Sequence, residues 1–425
     1  MRGMSNTTVI ILAGSVVLTL SFGIRSVFGV MLDPISDTFG WPREIFSLSM
    51  ALSNIMWGVA QPFFGWIADR YGDRKAIWLG FACYLLGMIV TVLAQSPLMM
   101  HAGAGFLVGM GVSGTAFGLI LSVVGRATPE EKRSQALALT AALGSLGQMV
   151  LPALSGFMVE SLGWQTTLIY LTAGLIPMAF CIPLLKAEVP AANVSPSDDL
   201  ATKELLARAF GHPSYVLLTL GFFVCGFHVA FLSAHLPAFV AQVCAPFVGA
   251  DGTLEGLSFE LFGSEIGIET TALGLGALTL SVVGFANFVG TLIVGQLGAR
   301  YPKPWILSAI YALRALVIFL FISFPITPAT VLLFSVSIGF LWLTTVPLTT
   351  GLVATMFGPK FMATLYGFVF LSHQVGSFIG IYLGGRVFDL YGNYDIIWYA
   401  SIVLGIFSAI VHLPVRDRAW SAAPA

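Results

Sequence analysis

Charge is scarce in this sequence: Asp, Glu, Lys and Arg together make up 9% of its 425 residues, while 57% are hydrophobic. A water-soluble chain of this length cannot cover its surface with so few ionised groups, so a soluble globular fold is excluded. The net charge is −1 and no dense basic run occurs, which excludes nucleic acid as a partner. Four cysteines are present; Cys83, Cys181 and Cys225 sit inside apolar runs and Cys244 follows one, so no disulfide framework is implied. Also missing are a Gly-x-x-x-x-Gly-Lys-[Ser/Thr] phosphate loop, a Cys/His metal cluster and a nucleophile elbow. No bound nucleotide, metal, cofactor or enzymatic chemistry is expected, and no obligate protein partner is evident.

What the sequence has in abundance is apolar runs of membrane-crossing length. A bilayer core needs about 20 apolar residues per helix. Such runs recur near 8–31, 45–67, 77–95, 99–124, 135–159, 165–185, 213–240, 272–297, 305–324, 329–356, 362–388 and 394–414. They are too long and too continuously apolar for barrel strands, which alternate every second residue. The expectation is an all-α integral membrane protein of twelve transmembrane helices. The first run is long and lacks a small-residue cleavage site, so it reads as an uncleaved span.

Of the 19 Lys and Arg, all but Arg25, Arg43, Arg314 and Arg386 fall on segments that share one side if the N-terminus is cytoplasmic. The positive-inside rule therefore places the N- and C-termini in the cytoplasm. The segment 245–271 carries Asp251, Glu255, Glu260, Glu265 and Glu269 without Lys or Arg, as suits an external loop. It reads as a cap over a pathway or, better, as a solvated insertion. The polar stretch 186–212 divides the chain into a six-helix bundle over 1–185 and a second over 213–425.

The two halves repeat. Gly65, Arg70 and Tyr71 return as Gly295, Arg300 and Tyr301; Gly147, Gly156, Glu160 and Gly163 return as Gly376, Gly385, Asp389 and Gly392. Gly23, Arg25, Phe28 and Pro34 align with Gly226, His228, Phe231 and Pro237. Two pseudo-symmetric bundles are a common carrier architecture.

The segment Gly65 to Lys75 resembles the Gly-x-x-x-Asp-Arg-x-Gly-Arg-[Lys/Arg] signature of the major facilitator superfamily, with Asp73 where the signature has Arg, followed by Arg74 and Lys75. The resemblance implies the major facilitator fold and a gating role for Gly65, Asp69, Arg70, Gly72 and Arg74, through cytoplasmic ion pairs that break as the halves rock. The bland reading of these charges is topogenic. A narrower resemblance lies in helix 1, where Arg25-Ser26 through Pro34 and on to Trp41 is similar to bacterial relatives of monocarboxylate and oxalate/formate carriers. Their helix 8 often has an Asp and, four residues on, a substrate-pairing Arg; the matching positions here are Asn287 and Thr291.

Charges at bilayer depth are costly, about 2.5–3.5 kcal/mol on insertion scales, and usually face a cavity or a partner. Arg25 is the leading candidate, since its planar fork can hold a carboxylate through two parallel hydrogen bonds; otherwise it snorkels outward or pairs with a helix carboxylate. His228, aligned with Arg25, and His235 lie on roughly one face of helix 7, as proton acceptors that assist an anion or as neutral ties between helices. In helix 11, His373 and Gln374 lie at pathway depth, and the oxalate/formate resemblance implies a cationic contact there; the alternative ties His373 to a neighbouring helix. Asn54, Trp57, Gln61 and Gln148 supply amides and a ring for a pocket or for bridging. Arg314 reads as structural or snorkelling toward the cytoplasm.

The resulting reading is a secondary active carrier of a small organic anion, a mono- or dicarboxylate, in the cell inner membrane. It works by alternating access, with protons as coupling ion or by exchange. Arg25, His228, His373, Gln374, Asn287, Asn54 and Gln148 form the candidate substrate site; His228, His235 and His373 are the candidates for proton coupling. The competing readings are proton-coupled efflux of an amphipathic compound, whose usual mark, a mid-span carboxylate, is missing, and a sensor that binds without turnover.

Overall fold

The computed structural model describes residues 6–186, 204, 206–254, 258–261, 264–267, 269–357 and 362–418; most of the 186–212 linker lies outside them. Twelve long helices run through the described residues: α1 Asn6–Ser26, α2 Arg43–Tyr71, α3 Asp73–Val92, α4 Pro97–Ala127, α5 Glu130–Leu162 and α6 Trp164–Leu184, then α7 Pro213–Cys244, α8 Ala272–Gly298, α9 Lys303–Ser323, α10 Pro328–Phe357, α11 Met362–Tyr391 and α12 Asp395–His412. At 1.5 Å per residue each covers a hydrocarbon core of about 30 Å. The helical form satisfies the backbone where no water reaches it.

Eleven of these are long and apolar enough to cross a membrane on composition alone. The twelfth is α2, whose 29 residues include Arg43, Glu44, Asn54, Gln61 and Arg70. Its polar stripe packs on helices rather than lipid, above all α11, so sequence hydropathy understates it.

The sequence repeat is a repeat of backbone geometry. Gly163 and Gly392 both adopt left-handed φ values, 78° and 72°, and make the sharp joins α5–α6 and α11–α12. A side chain there would be strained. The aligned glycines of the other pairs are contact points: α1 and α5 meet where a Cβ on Gly23 would stand 2.8 Å from the Gly147 Cα, while Gly226 abuts the His373 carbonyl and Gly376 the Phe223 carbonyl between α7 and α11. Small residues let helix backbones approach where lipid supplies no hydrophobic drive between helices. The α2–α11 and α5–α8 pairs join the first six spans to the last six.

Three spans are interrupted among the described residues: α6 at Gly174–Leu175, and two nearer the site. The α4 helix breaks at Ala116, which is extended, and resumes at Phe117. Beside the break the Thr115 and Ser21 hydroxyls lie 2.8 Å apart, and the Tyr84 hydroxyl donates to the Ser21 carbonyl. The α10 helix is regular over Pro328–Phe340 and Thr345–Phe357 but not between. Its freed groups find side-chain partners: the Arg314 guanidinium donates to the Leu341 and Trp342 carbonyls, and Asn287 Oδ1 accepts from the Leu343 N–H at 2.9 Å. Arg314 is 1% exposed. It does not snorkel, because the open carbonyls of α10 give its N–H groups acceptors inside the bundle.

The external segment is more than a solvated insertion. Strands β1 Ser258–Leu261 and β2 Ser264–Gly267 pair antiparallel as a hairpin, with Ser258 opposite Gly267. Leu254, bridged to Val248, is buried among apolar residues of α7, α8 and α12. At the turn before it, Asp251 accepts from the Thr253 N–H and hydroxyl, and these bonds hold its carboxyl below the usual range.

Candidate functional site

The site is built around Arg25, near the outer end of α1. Asn54, on α2, donates its Nδ2–H to the Met50 carbonyl at 2.9 Å, which turns Oδ1 toward Arg25 to accept from Nη2. One turn along α2, the Trp57 ring lies 5.0 Å from the Arg25 Cζ, a cation–π distance. A guanidinium has five N–H donors, and among the described residues Arg25 has no carboxylate in ion-pair reach. One donor is spent on Asn54, and the fork is otherwise available.

Around this cation lie rings from both halves. Trp57 packs edge-on against Phe22 of α1 at 5.5 Å and against Phe370 of α11 at 5.1 Å; Phe22 also packs on Phe117, just past the α4 break, at 4.6 Å. His373 stacks on Phe370 and sits against Phe222, with Nδ1 3.5 Å from the Ser377 hydroxyl. Gln374 is fully buried with its stem against Gly58, and neither amide atom has a hydrogen-bond partner. The buried Trp57 Nε1 likewise has none. Unpaired buried polar atoms are rare in native folds and call for an explanation. Gln148 and Ser26 border a void of about 20 Å³ that Trp342, at the α10 break, also lines.

The structure therefore sets Asn54 on Arg25, Gln374 beside the neighbouring turn of α2 and Gln148 by Ser26, keeps His373 between α7 and α11 behind Phe370, and places three other expected residues elsewhere. His228 Nε2 is 2.8 Å from the Ser401 carbonyl of α12. His235 is held on both sides, Nε2 by the Ile381 carbonyl and Nδ1 by the Tyr394 hydroxyl. Both are buried helix ties with partners on α11 and α12, because helix 7 turns this face toward the bundle interior rather than toward Arg25. Asn287 spends its Oδ1 on the α10 break and the Thr291 hydroxyl.

The outer end of the seam is latched. Arg43 pairs with Asp33 at 2.7 Å, donates to the Tyr394 hydroxyl at 2.9 Å and covers the Phe388 ring at 3.7 Å. Asp389 accepts from the Arg43 and Glu44 backbone N–H groups; Glu44 pairs with Arg386 at 2.7 Å and accepts from the Tyr382 hydroxyl. Burial pushes the Asp33 carboxyl up, against the pull of Arg43. Farther round, Thr271 donates to Glu160. At the cytoplasmic end a Cβ on Gly65, Gly72, Gly295 or Gly367 would meet nothing within 4 Å. The two halves are thus tied together at the outer end of the seam.

In this state the cytoplasmic motif spans no gap between halves among the described contacts. Arg70 lies over the rings of Trp66 and Tyr71 on its own helix, Arg74 is exposed, and Gly72 turns the chain at φ 95°. The Asp69 side chain lies outside the described residues. Asp73, the departure from the signature, pairs with Arg126 at the end of α4 at 2.5 Å.

Sequence reasoning missed the outer latch, although Arg43 and Arg386 stood out as the two cations left on external segments and Asp389 belonged to the repeat. It also missed the ring cluster, because Phe22, Phe117 and Phe370 are ordinary apolar residues in a sequence with 34 Phe. Weakening the latch has a defined consequence. Arg43→Ala removes a hydrogen bond to Tyr394 and a cation–π contact with Phe388 across the seam, together about 1–2 kcal/mol at a partly exposed site, besides its ion pair with Asp33 inside the first half. Populations should shift several-fold toward the outward-facing state, read as slower thiol labelling of Gly367→Cys in inside-out vesicles; unchanged labelling would show that the latch does not hold the state.

Comparison with known proteins bears on the whole chain. The model of the Major Facilitator Superfamily matches residues 14–245. The chain is 25% identical over 405 residues to an uncharacterized MFS-type transporter, YcxA, of Bacillus subtilis, covering 93% of this chain and 91% of that one. Shorter matches include mouse Monocarboxylate transporter 11, 26% identical over 39% of this chain and 37% of that protein, and Multidrug resistance protein Stp of Mycobacterium tuberculosis, 25% identical over 47% and 39%. In fold, the chain superposes on the crystal structure of a D-xylose-proton symporter with a TM-score of 0.72 at 12% identity, over 98% of this chain and all of that one.

Proposed function

The chain belongs to the Major Facilitator Superfamily, and within it we propose that this multi-pass secondary transporter carries a small organic anion, a mono- or dicarboxylate. The observation that carries the reading is Arg25: a guanidinium inside the membrane, steadied by Asn54 and Trp57 and left without a described carboxylate. An unneutralised charge at that depth is retained where a ligand completes it. Alternating access is the proposed mode, supported by the two-half architecture and the side-chain contacts across the outer seam, since rocking the halves about the α2–α11 and α5–α8 contacts would expose Arg25 to either side.

Of the candidate histidines, His373 is the one proposed to contact the anion or its proton, because it stacks on the ring cluster; His228 and His235 are proposed as structural. The carrier is placed in the cell inner membrane, with a proton gradient or exchange as its energy source. Efflux of an amphipathic compound is the second reading, favoured by the aromatic lining of the same pathway.

Counterflow in proteoliposomes tests the choice. Vesicles loaded with a panel of unlabelled carboxylates should accumulate the labelled acid transiently, and an imposed inward proton gradient should drive uptake if coupling is by symport. Transport of cationic or neutral amphipaths with no carboxylate moving would overturn the anion reading in favour of efflux. Binding without counterflow would point to a sensor.

A further inference from the structure

We infer that the cargo is an aromatic monocarboxylate whose ring carries a hydrogen-bonding substituent such as a hydroxyl. The inference rests on reading Arg25 as the anion anchor and adds what the surrounding groups select.

The charge count selects one carboxylate. Arg25 is the one cation in the ring cluster, and the other buried intramembrane arginine, Arg314, has its donors on the Leu341 and Trp342 carbonyls and beside Cys225. A second carboxylate would be desolvated with no cation to meet it, which is strongly unfavourable. Dicarboxylates should therefore be excluded, although the general anion reading allows them.

The rings select a flat partner. Trp57 already has its edges and faces set against Phe22 and Phe370 at interplanar angles of 67° and 70°. Trp57, Phe117 and Phe370 are each only partly buried, so their rings keep some surface for a partner. Aromatic pairs prefer such edge-to-face or offset geometries and gain beyond the area they bury, which a saturated ring of equal size does not. With its carboxylate on the Arg25 fork, a ring reaches along Trp57 toward Phe370.

The unpartnered polar atoms select the substituent. Gln374 lies one helical turn beyond Phe370, fully buried, with both amide atoms lacking a partner; Trp57 Nε1 lacks one as well. A hydroxyl on the ring can accept from the Trp57 Nε1–H and donate to Gln374 Oε1, satisfying atoms that are otherwise costly to bury.

The experiment compares labelled 4-hydroxybenzoate, benzoate, cyclohexanecarboxylate, acetate and terephthalate in proteoliposome counterflow, using the native chain and Gln374→Leu. Expected is transport of benzoate at least about tenfold more efficient than of cyclohexanecarboxylate, a further gain of about three- to tenfold for the hydroxyl, and no transport of terephthalate. In Gln374→Leu the ratio of hydroxybenzoate to benzoate transport should fall to about one whatever the absolute rates, a ratio that a merely structural role would leave unchanged. Phe370→Leu, which keeps an apolar side chain, should flatten the benzoate to cyclohexanecarboxylate ratio and guards against a folding defect in the first variant. If acetate or cyclohexanecarboxylate moves as well as benzoate, or terephthalate moves at all, the inference is overturned and the anion reading stands. If no carboxylate moves, both fall.

Discussion

Arg25→Gln is expected to abolish carboxylate counterflow while the chain inserts and folds as before. Two charge-assisted hydrogen bonds to a carboxylate, each worth about 1.5–3 kcal/mol, are replaced by one neutral amide contact. A net loss of about 3 kcal/mol lowers affinity roughly a hundredfold, beyond the range in which counterflow is seen. The fold should tolerate the change, since the Arg25 side chain makes one described hydrogen bond, to Asn54, and no ion pair. Arg25→Lys should be nearly as damaging, because an ammonium cannot present a two-pronged fork. Full transport by a well-folded Arg25→Gln chain would remove Arg25 from the site.

Arg314→Leu should give the opposite result, loss of fold before any question of transport arises. Its guanidinium satisfies the Leu341 and Trp342 carbonyls where α10 is interrupted, and neither water nor an i→i+4 partner can replace it there. The Leu341 carbonyl keeps the Thr344 hydroxyl as a donor, but the Trp342 carbonyl is left without its Arg314 bond, which costs about 1–3 kcal/mol, only partly offset by no longer burying a charge. The expected observation is a collapse of the monodisperse peak in detergent and early thermal unfolding, with Arg314→Lys intermediate. Trp342, whose carbonyl Arg314 holds and whose side chain lines the void beside Gln148, would lose this anchor as well, so any folded remainder should transport poorly. A fully stable Arg314→Leu chain would show that α10 does not need this brace.

These two arginines show where sequence reading succeeds and where it stops. Each is a charge in an apolar span, and sequence alone ranked Arg25 for function and Arg314 for structure by helix position. Of the two readings of Arg314, structural or snorkelling, the structural one holds, and snorkelling, the default for a long cation with no acceptor, does not apply. The acceptors here are created by a helix break that leaves no mark in composition. His228 misled for a related reason. The repeat aligns it with Arg25, but the two halves are symmetric in backbone and not in side-chain use. The aligned glycines, Gly23 with Gly226 and Gly147 with Gly376, do the same job in both halves because backbone contact is what the symmetry preserves.

By itself the sequence determined the class of protein. Scarce charge, recurrent apolar runs, one-sided Lys and Arg and a doubled pattern of glycines follow from the cost of placing polar groups in hydrocarbon, a rule that acts on each segment separately and is therefore legible along the chain. Only the tertiary structure decided which polar residues face one another: the outer latch of Arg43, Glu44, Arg386 and Asp389, the rings gathered round Arg25, and the unpartnered amide of Gln374. Those pairings depend on how helices distant in the chain rotate and cross, and the bilayer constrains the depth of each helix far more tightly than its facing.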